Sequence, residues 1–427
     1  MRGFLFPLPS SPLYLLSNAM HNSLFMYLCC LFIAMLPDKI KSLAAQYYET
    51  ILGYRRHIHA NPELSYNENN TADFIISVLE KHGIPYIRMA GTGVIGIIKG
   101  KNPGKTIALR ADIDALPIEE KNDVPYKSKN KGVMHACGHD VHASSLLGTA
   151  IILNSLASEW NGTIKLIFQP GEEKLPGGAS ILIKEGVLEN PSPESIIAQH
   201  VFPSLEAGKV GFASGSYMAA CDEIYLTVKG KGGHAALSGS PTIVSPLLIT
   251  SEILLKLQDT FMNASQTSPV VFAFGKMIAN GATNIIPDEV VLEGTFRTMD
   301  ENIRTEGHKT ITEIISATAK KWGGDCDLRI EKGYPVLINN DDLTRKLKTA
   351  SEAYLGEENV VALEPRMTSE DFAYYTRLRP CCFYRLGTGN VSAGIISGLH
   401  TPTFNIDETS IQISIGLMAW LAITELN

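Results

Sequence analysis

The sequence predicts an α/β protein of two domains, in which a largely parallel α/β domain is interrupted by an inserted β-α-β-β-α-β unit. Three observations carry this prediction. At 427 residues the chain is longer than one hydrophobic core usually serves. Short apolar runs at 106–112, 163–169 and 195–201 alternate with helical stretches, as buried strands of a parallel sheet do. From about residue 219 the runs change to apolar–polar alternation, so a second unit begins there.

The elements follow in order. Residues 1–34 are expected to be a leader, disordered or misassigned, with the folded protein starting near Met35, where "MLPDKIKSLAAQ" opens a helical pattern. In the alternative, residues 1–44 are a signal peptide with the apolar run 24–36 as its core and a cut after Ala44, although Arg2 and His21 are a thin basic start. In "SYNENNTADFIISVLEKHG", Ser65 and Glu68 have capping-box spacing and Gly83 is a stop, so this is one amphipathic helix. The strands "TIALRAD", "TIKLIFQ" and "SIIAQHV" each end in polar residues, and ligands of parallel sheets gather at such ends.

In the second unit "EIYLTVK" is a strand, a helix opens at Ser245 and Pro246, "SPVVFAFGKMI" and "EVVLEGTFRT" are strands, and a helix covers about 301–322. With a last strand near "CDLRIEKG", this is the ferredoxin-like order. The expected domains are thus 35–218 with 334–427, and the insertion 219–333. A helix at "DLTRKLKTASEAYLG" and a strand at "CCFYRLG" complete the first domain.

Composition excludes several classes. A hydrophobic fraction of 45% with 19% charged residues is that of an ordinary globular protein. A net charge of −7 without a Lys/Arg cluster argues against nucleic-acid binding. The apolar run 24–36 is too short for a membrane span. The seven cysteines (Cys29, Cys30, Cys137, Cys221, Cys326, Cys381, Cys382) are odd in number and irregular in spacing, which fits reduced thiols and a cytoplasmic location better than a disulfide framework.

Chemistry concentrates in a few places. In "MHACGHDVHA", Cys137 and His139 stand two apart in a Gly-containing loop, and both are good metal ligands. Glu172 and Glu173 follow directly after a strand. Adjacent side chains there point in different directions, so one carboxylate can bind metal while its neighbour holds the water. His200 ends another strand and His400 follows a glycine-containing turn. Singly each is as easily structural, but together they supply enough ligands for two ions, with the Cys137 thiolate best placed to bridge them. A hydroxide between two cations is a strong nucleophile at neutral pH, because the ions depress the pKa of water.

These residues, with "RRHIHANPELSY", "LRADIDALPI", "FQPGEE", "GKGGHAA", "TNIIPD", "EDF" and "GLHTPTF" in this order, resemble the metal-dependent amidohydrolase family of hippurate hydrolase, N-acyl-L-amino acid amidohydrolases and indole-acetyl-amino-acid hydrolases. The resemblance covers nearly everything from Met35 onward. It implies that Cys137 bridges two divalent ions, Mn or Zn with Co or Ni as alternatives. It also implies that His139 and His200 complete one site, that Glu173 and His400 complete the other, and that Glu172 is the general base. Asp112 and Asp114 are expected to support ligand histidines from behind. His234 in the lid would reach a substrate bound in a partner subunit and steady the oxyanion, which implies a homodimer through the inserted lid domain. Asn284 and Arg297 resemble the pair that recognises the substrate's amide and carboxylate. The expected reaction turns a small N-acyl amino acid into a carboxylic acid and a free amino acid.

The segment after His234 reads "GGHAALSGSPTIVSP", without the proline and acidic residue of many relatives, which puts the substrate fit in doubt. His57 and His59, and Glu370 and Asp371, are given no site role, since histidines beside arginines and acids at a helix start have ordinary structural uses. Two rival functions are a thiol hydrolase with Cys137 as nucleophile and His139 as base, which chelators would spare, and a non-catalytic binding protein, against which Glu172 argues.

Overall fold

The computed structural model describes residues 13–264 and 268–427, with side chains from Leu36 onward except 263 and 264. Of the expected leader, residues 1–12 lie outside the described residues, while residues 13–34 fall within a helix. The helix Leu13–Ala60 runs through the expected start at Met35 and contains Pro37. Among the described residues no helix is long and apolar enough to cross a membrane.

The larger sheet has eight strands, in the order Tyr86–Met89, Gly93–Lys99, Thr163–Gln169, Thr106–Asp112, Ser195–Glu206, Cys381–Gly389, Val210–Phe212 and Val360–Ala362. The four central strands run parallel, and antiparallel neighbours flank them. Alternation along a strand explains why the central runs are apolar throughout. Ile107 and Leu109 face the core that includes the helices His139–Ser155 and Ser410–Leu426, whereas Ala108 faces the opposite core with Leu182 and Phe372. Both faces are covered, so neither set of side chains is polar. The helix Ser410–Leu426 has no counterpart in the sequence reading. It is buried on most sides, so its sequence carries no apolar stripe to mark it.

The first long surface helix, Asn69–Lys81, corrects one expectation. Ser65 and Glu68 do not form a capping box: Ser65 Oγ donates to Asp114 at 2.7 Å, and Glu68 accepts from Thr92 Oγ1 at 2.6 Å and Gly171 N at 2.8 Å. The carboxylate of Glu63 takes over the helix start, accepting from Asn70 N at 3.2 Å and Thr71 N at 2.9 Å. Long-range partners for Ser65 and Glu68 outcompete the local motif. The stop at Gly83 is as expected: at φ 65° it donates to Glu80 O, and Ile84 N returns to Leu79 O.

The segment from Ala220 to Lys332 builds a separate four-stranded antiparallel sheet, ordered Val270–Ile278, Glu289–Thr298, Ala220–Lys229, Asp325–Lys332. The helices Pro246–Ala264 and Glu301–Lys321 share one apolar core with it, built on Ile224, Leu226, Val228, Ile253 and Ile315. Alternate residues of the same strands, Cys221, Glu223, Tyr225 and Arg297, point the other way and line a cavity over the larger sheet. Buried Asp222 closes the base of this unit, accepting from Arg304 Nε at 2.9 Å and from Gly333 N at 3.0 Å.

Candidate metal centre

The site forms where the parallel strands end. Thr106–Asp112 delivers Asp112 and then Asp114, Thr163–Gln169 leads through Pro170 and Gly171 into Glu172 and Glu173, and Ser195–Glu206 carries His200. Gly138, at φ 81°, lets the loop between Cys137 and His139 lie against the His200 strand, since a Cβ there would stand 2.4 Å from Val201 Cγ2. His400 adopts φ 59°, costly for a non-glycine residue, and its N–H donates to Ala136 O at 2.8 Å. This ties the C-terminal segment to the Cys137 loop.

Five side chains converge. Cys137 Sγ lies 3.5 Å from His200 Nε2 and 3.3 Å from His400 Nε2. Glu173 Oε1 lies 3.2 Å from His400 Nε2 and 3.9 Å from His139 Nε2. They form two groups with metal-ligand spacing, Cys137–His139–His200 and Cys137–Glu173–His400, which share the thiol.

The hydrogen bonds leave the right atoms open. His200 Nδ1 donates to Val201 O at 2.8 Å and His139 Nδ1 to Asp114 Oδ1 at 3.1 Å, so both rings turn Nε2 to the centre. His139 Nε2 and Glu173 Oε1 are buried and without a hydrogen-bond partner, an arrangement that is costly unless a cation supplies the missing bonds. The donor set of sulfur, imidazole and carboxylate fits divalent transition ions. The neighbouring pair of Asp112 and His142 is already engaged within the protein. Asp112 accepts from His142 Nδ1 at 2.5 Å, and His142 Nε2 accepts from Val201 N at 2.9 Å.

Electrostatics agree. Burial pushes the Cys137 thiol well up, with Glu173 and Glu172 adding to it. Burial, then Glu370, Glu173 and Asp371, push Glu172 well above the usual carboxylate range. Burial opposes charge on His139, but Asp112, Asp114 and Glu173 draw it up to about 10. Burial, with the neighbouring His142 and Arg385, holds His200 well below the usual imidazole range, so among these histidines it is His139, flanked by carboxylates, that is drawn up. Arg110, fully buried, offsets part of it by donating to Asp112 at 2.6 Å, Glu370 at 3.0 Å and Asp371 at 2.9 Å.

A cavity of about 960 Å³ opens over the centre, lined by Cys137, Glu172, Glu173, His200, His400 and Arg297 among others. The Glu172 carboxylate makes no hydrogen bond among the described residues, while its backbone carbonyl is held by Tyr334 Oη at 2.5 Å. Asp112, Asp114 and His139 are buried beneath. His234 and Asn284 do not line this cavity. They sit together at the small pairing of Gly233–His234 with Ile285–Ile286, where Ala235 N donates to Asn284 O at 3.0 Å.

Several residues escaped the sequence reading. Glu370 and Asp371, set aside as charges at a helix start, are buried against Arg110. His142 lies one helical turn beyond His139 and orients Asp112. Arg110 and Arg385 each interrupt an apolar strand, and a charge within such a run is the signal that was available. His59 takes the structural role expected, its Nδ1 meeting Asp140 at 2.8 Å and its Nε2 meeting Glu120 at 3.2 Å.

Comparison with known proteins adds three findings. The model of peptidase family M20/M25/M40 matches residues 108–423. An N-acetyl-L-cysteine deacetylase of Bacillus subtilis is 37% identical over 377 residues, 88% of this chain and 87% of the relative, and the IAA-amino acid hydrolase ILR1-like 4 of Arabidopsis thaliana is 35% identical over 398 residues, 91% and 89%. Among solved structures, a dinuclear metal binding peptidase of Bacillus subtilis superimposes with a TM-score of 0.78 at 32% identity, covering 90% of this chain and 99% of that one.

Proposed function

The chain belongs to peptidase family M20/M25/M40, and from that premise we propose that it is a dimetal amidohydrolase cleaving a small N-acyl amino acid to a carboxylic acid and a free amino acid. The observation that carries this reading is the pair of ligand groups sharing Cys137, with the unengaged carboxylate of Glu172 beside them. The relatives' names support the substrate class.

In this reading Cys137, His139 and His200 would hold one ion and Cys137, Glu173 and His400 the other. The ions, Mn or Zn with Co and Ni as alternatives, supply Lewis acidity towards water and the scissile carbonyl. Glu172 accepts the proton of the attacking water and passes it to the departing amine, a task suited to a carboxylate raised by its surroundings. Arg297 binds the substrate carboxylate, and Asn284, which sits beside His234, orients the amide from a partner protomer. His234, which its own chain's cavity does not include, donates to the oxyanion in a partner protomer, so the working unit is a homodimer joined through the lid. The described cysteines are all free thiols, in keeping with a cytoplasmic enzyme.

The thiol-hydrolase alternative is disfavoured, because the buried Cys137 thiol is pushed up and thiol nucleophiles need the opposite shift. The deciding experiment is release of free amino acid from N-acetyl, N-benzoyl and N-indoleacetyl substrates. Activity is expected with Mn or Zn, none with chelator, and a loss of about 10²-fold or more in Glu172→Ala with metal content retained. Turnover that survives chelation would sink the two-metal reading.

A further inference from the structure

Three arginines line the cavity, Arg297, Arg366 and Arg385, and none forms an ion pair among the described residues. Arg385 is 3% exposed and lies in register with His200 on the adjacent parallel strand. Its Nε donates to Tyr217 Oη at 2.9 Å, its Nη2 meets Met218 Sδ at 3.2 Å, and its guanidinium sits 5.0 Å from the Phe383 ring. None of these partners carries negative charge. Arg366 is half-buried, 4.5 Å over the Phe202 ring, and its backbone N–H donates to Tyr217 O at 2.8 Å. Both arginines are thus organised on one tyrosine, and burial together with Arg385 holds Arg366 below the usual guanidinium range.

The lid carboxylates lining the same cavity are engaged elsewhere, Glu223 with Tyr225 and Glu331 with Arg329. Arg297 stands apart as the group read above as binding the α-carboxylate, its Nη1 donating to Met367 O at 2.9 Å. Two neighbouring cations in a desolvated wall are unfavourable until an anion joins them.

We propose that Arg366 and Arg385 form a second anion subsite, so that the substrate is an N-acyl amino acid carrying one carboxylate beyond its α-carboxylate. This rests on the amidohydrolase reading for the word substrate, but the subsite itself rests on the arginines. Guanidinium groups suit a planar carboxylate, which can belong to an acidic amino acid or to a dicarboxylic acyl group.

The test is calorimetric binding to the metal-loaded Glu172→Ala protein, which does not turn the ligands over. One pair compares N-acetyl-L-glutamate with N-acetyl-L-glutamine, the other N-succinyl-L-alanine with N-butyryl-L-alanine. In one pair the charged member is expected to bind about tenfold or more tightly, and adding Arg366→Gln or Arg385→Gln is expected to remove that ratio. The pair that responds identifies where the extra charge sits, and Arg366→Gln suffices if the buried Arg385 variant does not fold. Equal affinities in both pairs, or a preference that survives both arginine substitutions, would overturn the subsite. If the charge preference stands while the native enzyme hydrolyses none of the four ligands, the subsite holds and the amidohydrolase reading is what fails.

Discussion

His139 is committed to its task before any ion arrives, because Asp114 holds Nδ1 at 3.1 Å and nothing holds Nε2. Replacing Asp114 with asparagine removes the charge that fixes this tautomer, and metal affinity is expected to fall about 10–100-fold. Competition against a chromophoric chelator measures it, and an unchanged affinity would show that the ring needs no such anchor. The sequence pairs Asp112 and Asp114 as equals, whereas the fold separates them: Asp114 serves His139, while Asp112 serves His142 and Arg110. Residues two apart in the chain acquire different partners only once helices and loops from elsewhere close over them.

At the scale of elements, two substitutions probe what holds the helices and the lid. Gly83→Ala places a Cβ where space is open but φ is 65°, so the cost is backbone strain alone, about 1 kcal/mol, readable as a lower urea midpoint. The lid depends more heavily on Asp222. Burial works against its charge, but Arg304 and His308 hold its pKa at about 2, below the ordinary 3.8; Glu301, 3.4 Å from Arg304 Nη1, is the other carboxylate at this junction. A carboxyl with a depressed folded-state pKa stabilises the protein above its unfolded value and loses that contribution as pH falls through the folded value. Asp222→Asn should therefore cost about 2 kcal/mol at neutral pH, since Arg304 keeps only Glu301 as a carboxylate partner. Urea titrations at several pH values should show the gap to the native protein narrowing from pH 3.8 towards about 2. A pH-independent gap would mean that shape rather than charge is lost. The alternation of "EIYLTVK" exposes the lid strand in the sequence, but nothing local marks Asp222 as its keystone, because Arg304 and Gly333 lie far along the chain.

For the whole molecule, a cluster of buried acids around Cys137, Glu172 and Glu173 makes the folded state a better cation binder than the unfolded chain. Divalent ion at 100 times its dissociation constant should add about 2.7 kcal/mol of stability. The melting temperature is expected to fall on chelation and to recover with Mn or Zn; indifference to both would count against the centre. Much of this was legible in the order of residues. The parallel strands announce themselves by unbroken apolar runs, the lid by alternation, and the five candidate ligands by chemistry gathered at strand ends, since burial and hydrogen-bonding needs act on each segment locally. Only the tertiary structure decided which groups meet. It gave Ser65 and Glu68 distant partners in place of a cap, buried a uniformly apolar C-terminal helix, put Glu370 and Asp371 against Arg110, and left Arg366 and Arg385 lining the cavity without an ion pair among the described residues. Those outcomes depend on contacts between segments tens to hundreds of residues apart, whose energies exist only after the chain has closed.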